Sequence, residues 1–235
     1  MMSSSDVSVV LVHGAWADGS SWSKIIEPLA ADGVTVSAPP LPLTSFADDV
    51  AALDRALERV PGPVVLAGHA YAGAVIAATR SDKVKALVYV AALSPDDGET
   101  VADVFYRSEP HPQAPKLGPD DHGLIYLPDS AFAAAFAQNA SKEELAVLAA
   151  VQRPISPACI TVAVPPPLWK DRPSWFLVAE QDRMIVQDNQ RFMAERMQAR
   201  VRSHAVDHTP LVTAPDVVLD VIREAIAAVR AEHAS

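Results

Sequence analysis

The sequence predicts an α/β fold: a doubly wound, mostly parallel sheet of about six strands with an inserted helical lid. Three observations carry that expectation. Short β-branched runs alternate with segments of helical periodicity, the pattern of strand–helix–strand units joined by right-handed crossovers. Two of the runs, Val64–Ala67 and Ala86–Ala91, are almost continuously apolar, as strands buried on both faces are. From Pro95 to about Arg172 the alternation lapses, with frequent prolines, among them Pro165-Pro166-Pro167, and weak strand signals. The chain therefore divides into a first core part over residues 1–94, a helical lid over 95–172 and a second core part over 173–235. A long stretch without strands inside an α/β core points to a cover over a ligand site.

The elements follow in order. Val7–Val12 is the first strand, Trp22–Ala31 a helix closed by Gly33, and Val34–Ser37 the second strand. Phe46, Val50, Leu53, Leu57 and Val60 recur at helical spacing with charged residues between them. Val64–Ala67 and Ala86–Ala91 then supply two central strands. In the lid, Ala131–Asn139 follows Asp129-Ser130 as one helix. Leu145–Val151 is another, introduced by Ser141 with Glu144 three residues on, a capping box. Trp175–Ala179 and Val201–Val206 are the late strands, with Asn189–Gln198 as the helix between them. Pro215–Val229 is a terminal helix with proline in its first turn.

Composition narrows the function. With 235 residues, half of them hydrophobic, the chain can bury one large core. Its net charge of −10, with no basic cluster, argues against nucleic acid and anionic membranes as partners. Cys159 is the single cysteine and reads as a small buried hydrophobe, so neither a disulfide nor a Cys/His metal site is expected. Met1–Asp6 has no basic character and no apolar run is long enough for a bilayer, so a cytoplasmic protein is expected. Gly68–Gly73 lacks the GxGxxG spacing, and no cofactor is expected.

Four features stand at strand ends, where open α/β sheets place their ligands. Gly68-His69-Ala70-Tyr71-Ala72-Gly73 has the layout of a nucleophile elbow, a sharp strand-to-helix turn with small residues at Gly68, Ala72 and Gly73. Its central position, Ala70, carries a methyl group where a serine hydroxyl would attack. The N–H of Tyr71, opening the next helix, is a candidate oxyanion donor. His13-Gly14-Ala15-Trp16 turns after the first strand and can aim a second donor, the N–H of Ala15. Asp182, just beyond the strand Trp175–Ala179, can hold a histidine tautomer, with Glu180, Asp188, Asp96 and Asp97 as competitors. His208, after the last strand, can act as general base. His111, His122 and His233 read as surface or satisfied structural residues and His204 as part of the last strand.

Elbow, then acid, then histidine is the chain order of α/β-hydrolases. On Leu11–Trp16, Gly68–Gly73, Asp182-Arg183 and His208, nearly the whole chain resembles that superfamily. It is similar to the small lidded branch of plant methyl-ester esterases, hydroxynitrile lyases and short bacterial esterases. The resemblance implies the roles of nucleophile position for Ala70, orienting acid for Asp182 and proton shuttle for His208. It implies oxyanion donors at the backbones of Ala15 and Tyr71. Hydroxynitrile lyases of this branch carry a lysine after the histidine and a threonine in the oxyanion loop. Thr209 and Ala15 occupy those positions, which favours ester hydrolysis.

The acid, the base and the small-residue elbow all survive around the methyl of Ala70. That pattern reads as an engineered serine-to-alanine replacement in a hydrolase, leaving a chain that binds ligand without turning it over. The alternatives are a natural small-molecule-binding protein and a lyase or cofactor-free oxygenase on the same fold. Trp16, Phe132, Phe136 and Trp169 are the candidate substrate-binding walls, with Tyr71 beside the elbow. An apolar lid with little positive charge fits a small, largely hydrophobic ester or lactone.

Overall fold

The computed structural model describes residues 7–233, with side chains through residue 232. The readings of the His233 side chain and of Met1–Asp6 lie outside the described residues. Six strands form one sheet: β1 (Ser8–Val12), β2 (Thr35–Ser37), β3 (Val64–His69), β4 (Val84–Val90), β5 (Ser174–Ala179) and β6 (Arg200–His204). They lie in the order β2-β1-β3-β4-β5-β6, and every neighbouring pair is parallel. The chain runs outward from β1 to β2, then crosses back over β1 to β3. That reversal opens a crevice between the carboxyl ends of β1 and β3. The register sets Leu11 against Ala67 and Val12 against Gly68, so the loops after the two strands start side by side.

Burial explains the apolar runs. Every residue of β1, β3 and β5 is buried, so both faces of the sheet centre are covered. At the edge, β6 is exposed over Arg200–Ser203, and its arginines discourage pairing with another strand. This strand ends at His204, two residues short of the apolar pattern, and the chain turns there toward His208.

The helices are α1 (Ser23–Ala31), α2 (Phe46–Arg59), α3 (Ala72–Ala78), α4 (Val101–Phe105), α5 (Asp129–Ala131), α6 (Lys142–Ala150), α7 (Gln187–Arg196), α8 (Pro210–Thr213) and α9 (Pro215–His233). Among the described residues no helix is long and apolar enough to cross a membrane. Helix α9 lies across β3, β4 and β5 and packs on α1, while α2 packs on α3 and α3 on β3 and β4. The Ser45 hydroxyl starts α2 by accepting the Asp48 N–H at 3.1 Å. All seven residues of α3 are buried, which its alanines and Gly73 permit.

Residues 95–172 join β4 to β5, and here the sequence expectations need correction. The capping box of Ser141 and Glu144 does start a helix, α6. The expected helix over Ala131–Asn139 is one α-turn followed by a wider π-turn over Phe132–Phe136. Tertiary bonds replace its ladder: Thr209 Oγ1 donates to the Phe136 carbonyl at 2.6 Å, and the Asn139 N–H donates to Asp207 at 3.0 Å. Helix α4, with its own capping box of Thr100 and Asp103, was hidden by its short length among loop-forming residues. Two bonds from Trp16 tie the insertion to the core, N–H to the Arg153 carbonyl at 3.1 Å and Nε1–H to the Ile125 carbonyl at 3.0 Å.

Candidate active site

The turn after β3 is built by close approach. Ala70 sits at φ +51°, a left-handed conformation that costs a residue with a Cβ about 1 kcal/mol. Its carbonyl accepts the Gly73 N–H at 3.1 Å and the Leu93 N–H at 2.9 Å, which lock the turn against α3 and the loop after β4. Glycine is required where the chain passes closest. A Cβ on Gly73 would collide with the Leu93 carbonyl, and one on Gly14 would lie 2.9 Å from the His69 carbonyl and 3.0 Å from the Ala70 Cβ. The Gly14 contact brings the loop after β1 directly against the elbow.

His13 secures that loop. Its Nδ1–H donates to the Gly14 carbonyl at 2.9 Å, and its Nε2 accepts the Leu41 N–H at 2.9 Å. Burial holds its pKa below the ordinary histidine value. Ala15 and Tyr71 both line one cavity with Ala70 and His208. Among the described residues, the backbone N–H groups of Ala15 and Tyr71 donate to no protein acceptor.

His208 and Asp182 meet across the ends of β5 and β6. The Nδ1–H of His208 donates to Asp182 Oδ2 at 2.8 Å, with His208 2% exposed and the Asp182 side chain fully buried. The acid is itself held by the N–H groups of Met184 at 2.7 Å and Ile185 at 2.8 Å, and by Gln190 Nε2 at 2.9 Å. Four donors thus fix the carboxylate, and the histidine turns its Nε2 edge toward the cavity it lines. None of the competing acids reaches His208. Glu180 pairs with Arg191, Asp96 with Lys170, and Asp188 opens α7. Asp97 donates its own N–H to Asp96.

Three residues without a sequence signal complete the arrangement. Gln190 bridges Asp182 and the Ala179 N–H. Asp207 accepts from Thr209, Thr213 and Asn139 and so holds the His208 loop. Asp49, fully buried in α2, accepts the Tyr71 hydroxyl at 2.7 Å. Cys159 is buried as expected, with its Sγ 3.6 Å from Asp49.

The cavity has a volume of about 350 Å³ and is walled mainly by apolar side chains. Trp16 and Tyr71 line it, as do Phe105, Leu117, Ile155 and Met184. Phe132, Phe136 and Trp169 are not among its walls, which corrects the sequence expectation. Phe136 packs behind the site, its ring centroid 5.2 Å from that of His208 and 6.4 Å from that of Trp16, and Phe132 packs edge-on against it. Trp169 is buried in a short turn against α3. Their positions follow from core packing, which claims large aromatics before any pocket does. A second cavity of about 410 Å³ shares Phe105, Tyr106, Leu117 and Met184 with the first.

An acid and a histidine delivered from consecutive strand ends to a strained turn at the sheet centre define the hydrolase class of α/β proteins. The chain belongs to the Alpha/beta hydrolase family, which matches residues 9–221. A comparison with curated proteins finds no match in sequence. Among solved structures, a pyrethroid hydrolase from Sphingobium faniae JZ-2 superposes with a TM-score of 0.80 at 22% identity, covering 94% of this chain and 98% of that one. A methylesterase from Arabidopsis gives 0.77 at 17% identity, covering 94% and 99%. A methylketone synthase from tomato gives 0.76 at 18% identity, covering 95% and 99%. These similarities establish a shared fold.

Proposed function

We propose that the site is that of a carboxylic-ester or lactone hydrolase for a small, largely hydrophobic substrate, and that alanine at position 70 leaves this chain able to bind and nearly unable to turn over. One observation carries the reading: His208, held from behind by the buried Asp182, lines the same cavity as Ala70, which is held at φ +51°. In the serine form, the Ser hydroxyl attacks the ester carbonyl while His208 Nε2 takes its proton. The tetrahedral oxyanion lies against the N–H groups of Ala15 and Tyr71. His208 then returns the proton to the departing alcohol, and water repeats the sequence to release the acid. Asp182 holds the ring and balances the imidazolium charge.

Support for a serine-to-alanine replacement comes from everything still built around the methyl. A strained turn, two uncommitted N–H donors and a quadruply held carboxylate are the parts that a nucleophilic serine at position 70 would use. The named activities of the pyrethroid hydrolase and the methylesterase also support an ester substrate. The apolar cavity and its shared wall with the second one suit a hydrophobic ester long enough to enter both. The reading includes a cytoplasmic setting with neither nucleic acid nor membrane as partner.

The test is Ala70→Ser. The serine form hydrolyses hydrophobic p-nitrophenyl esters, and the chain as given binds them with little turnover. A well-folded serine form that is inert across a broad ester and lactone panel overturns the reading.

A second reading is favoured by one observation. The His208 Nε2 edge and two oxyanion donors suffice for proton abstraction beside a carbonyl, without a nucleophile. A lyase or cofactor-free oxygenase would work that way, and the fold is shared with a protein named as a synthase. That reading requires the alanine form to act on carbonyl substrates and His208→Ala to abolish the action. Ligand binding without either activity leaves a binding protein.

A further inference from the structure

Beneath the elbow lies a buried node that the proposed mechanism does not use. Asp49, on α2, is shielded from solvent and takes donors from three separate parts of the chain. Its Oδ1 accepts the Leu43 N–H at 2.7 Å. Its Oδ2 accepts the Tyr71 hydroxyl at 2.7 Å and lies 3.6 Å from Cys159 Sγ. The same Leu43 accepts the Ser156 N–H on its carbonyl at 2.9 Å and is held at φ +59°. One carboxylate therefore joins the loop before α2, the elbow, and the segment of the insertion around Ser156–Cys159. Pro157 and Ile160 of that segment line the cavity, as does Tyr71.

We propose that Asp49 is a positioning residue, which seats the Tyr71 backbone at the elbow and couples it to the seating of insertion residues 155–161. The coupling is mechanical. Tyr71 has a short tether, since its hydroxyl and its backbone N–H belong to one rigid side chain and one turn. Anchoring the hydroxyl fixes the direction of the N–H beside Ala70. The insertion cannot lift at Ser156 without drawing on Leu43, whose N–H is held by the same carboxylate. Burial raises the Asp49 pKa and the three donors work against that rise. A carboxylate accepts from both Leu43 and Tyr71, whereas an asparagine that accepts from Leu43 turns its Nδ2–H toward the phenol and replaces a charge-assisted bond with a weaker, reversed one.

The catalytic half of this inference rests on the hydrolase reading, and the structural half does not. Two experiments separate them. The first is amide hydrogen exchange on the chain as given, on Asp49→Asn and on Tyr71→Phe. Asp49→Asn is expected to speed exchange at least tenfold in both 70–74 and 155–161, with β4 and β5 unchanged. Tyr71→Phe, which removes one hydroxyl and keeps the ring, is expected to speed 70–74 by a similar factor. It also serves if Asp49→Asn does not fold. A rise confined to residues 41–49, or one spread evenly over the sheet, overturns the proposal.

The second experiment is done in the Ala70→Ser background. There each variant is expected to lower kcat about tenfold for a short ester with KM within twofold. The double variant is expected to be no worse than the poorer single one. Additive losses, or a change in KM alone, overturn the positioning role. If Ala70→Ser is itself inactive, the hydrolase reading has failed, and the exchange pattern decides the inference by itself.

Discussion

The Nε2–H of His69 donates to the carbonyl oxygen of His208 at 2.7 Å, and the two rings stand 4.9 Å apart. The residue that ends β3 thus holds the main chain of His208, which lines one cavity with the next position along, Ala70. A carbonyl only accepts, so Nε2 carries the proton and Nδ1 is bare. Nδ1 is buried without a partner, which a protonated ring could not tolerate. Burial, with the neighbouring His208 adding to it, pushes the His69 pKa down to about 3. The ring is therefore neutral near pH 7, a fixed donor to the main chain of His208.

Stability should fall on the acid side for this reason. The unfolded chain protonates His69 near its ordinary pKa of 6.5, while the folded chain resists until about 3. A depressed folded-state pKa gives stability that is present above 6.5 and lost as pH falls toward 3. His13, also lowered by burial, acts in the same direction. For His69 alone the loss between pH 7 and pH 5 is about 2 kcal/mol. Asp49 has the opposite sign: its raised pKa favours the fold below 3.8, and that contribution fades as pH rises. Urea unfolding midpoints at pH 7, 6 and 5 measure the slope, and His69→Gln is expected to flatten it. An unchanged slope in that variant refutes the assignment.

Removing the charge behind the base should cost activity more than stability. In the Ala70→Ser background, Asp182→Asn is expected to lower kcat by about 10³–10⁴-fold, because the amide offers a donor where Nδ1–H needs an acceptor. Steady-state kinetics on one activated ester reads this directly. A loss below tenfold would mean that His208 works without its buried partner.

The wall between the two cavities should set substrate length. Leu117 is half-buried and belongs to both. In the serine form, Leu117→Trp is expected to lower kcat/KM for an octanoate ester at least tenfold and to spare the acetate within threefold. Equal losses for both would place the longer arm elsewhere.

Two glycines differ in what surrounds them. Gly73→Ala drives a methyl into the Leu93 carbonyl and to 2.9 Å from Ala92 Cβ, and is expected to destabilise the fold by about 2–3 kcal/mol. Gly118 has open space around it, and Gly118→Ala is expected to change stability by less than about 0.5 kcal/mol. Thermal unfolding of the pair tests the claim, and similar melting points would contradict it.

Periodicity made the sheet legible because its strands are buried on both faces and read as unbroken apolar runs. Turn chemistry made the elbow legible, since only small residues allow β3, α3 and the loop after β4 to approach so closely. The chain order of elbow, Asp182 and His208 carried the site. Three aromatic residues were misplaced, Phe132, Phe136 and Trp169, because a large apolar side chain looks the same whether it fills a core or lines a cavity. The helix expected over 131–139 failed for a related reason: its carbonyl and amide groups are claimed by Thr209 and Asp207, far along the chain.

By itself, then, the sequence determined which segments become strands, which turns bring the backbone close, and which strand ends carry Ala70, Asp182 and His208. Those properties depend on local spacing and residue size, which are written one residue at a time. The tertiary structure alone decided that Gln190, Asp207 and Asp49 brace the site, and which side chains border the cavity. Such relationships arise between residues dozens of positions apart, where hydrogen bonding and packing are settled by three-dimensional approach and leave no periodic trace in the chain.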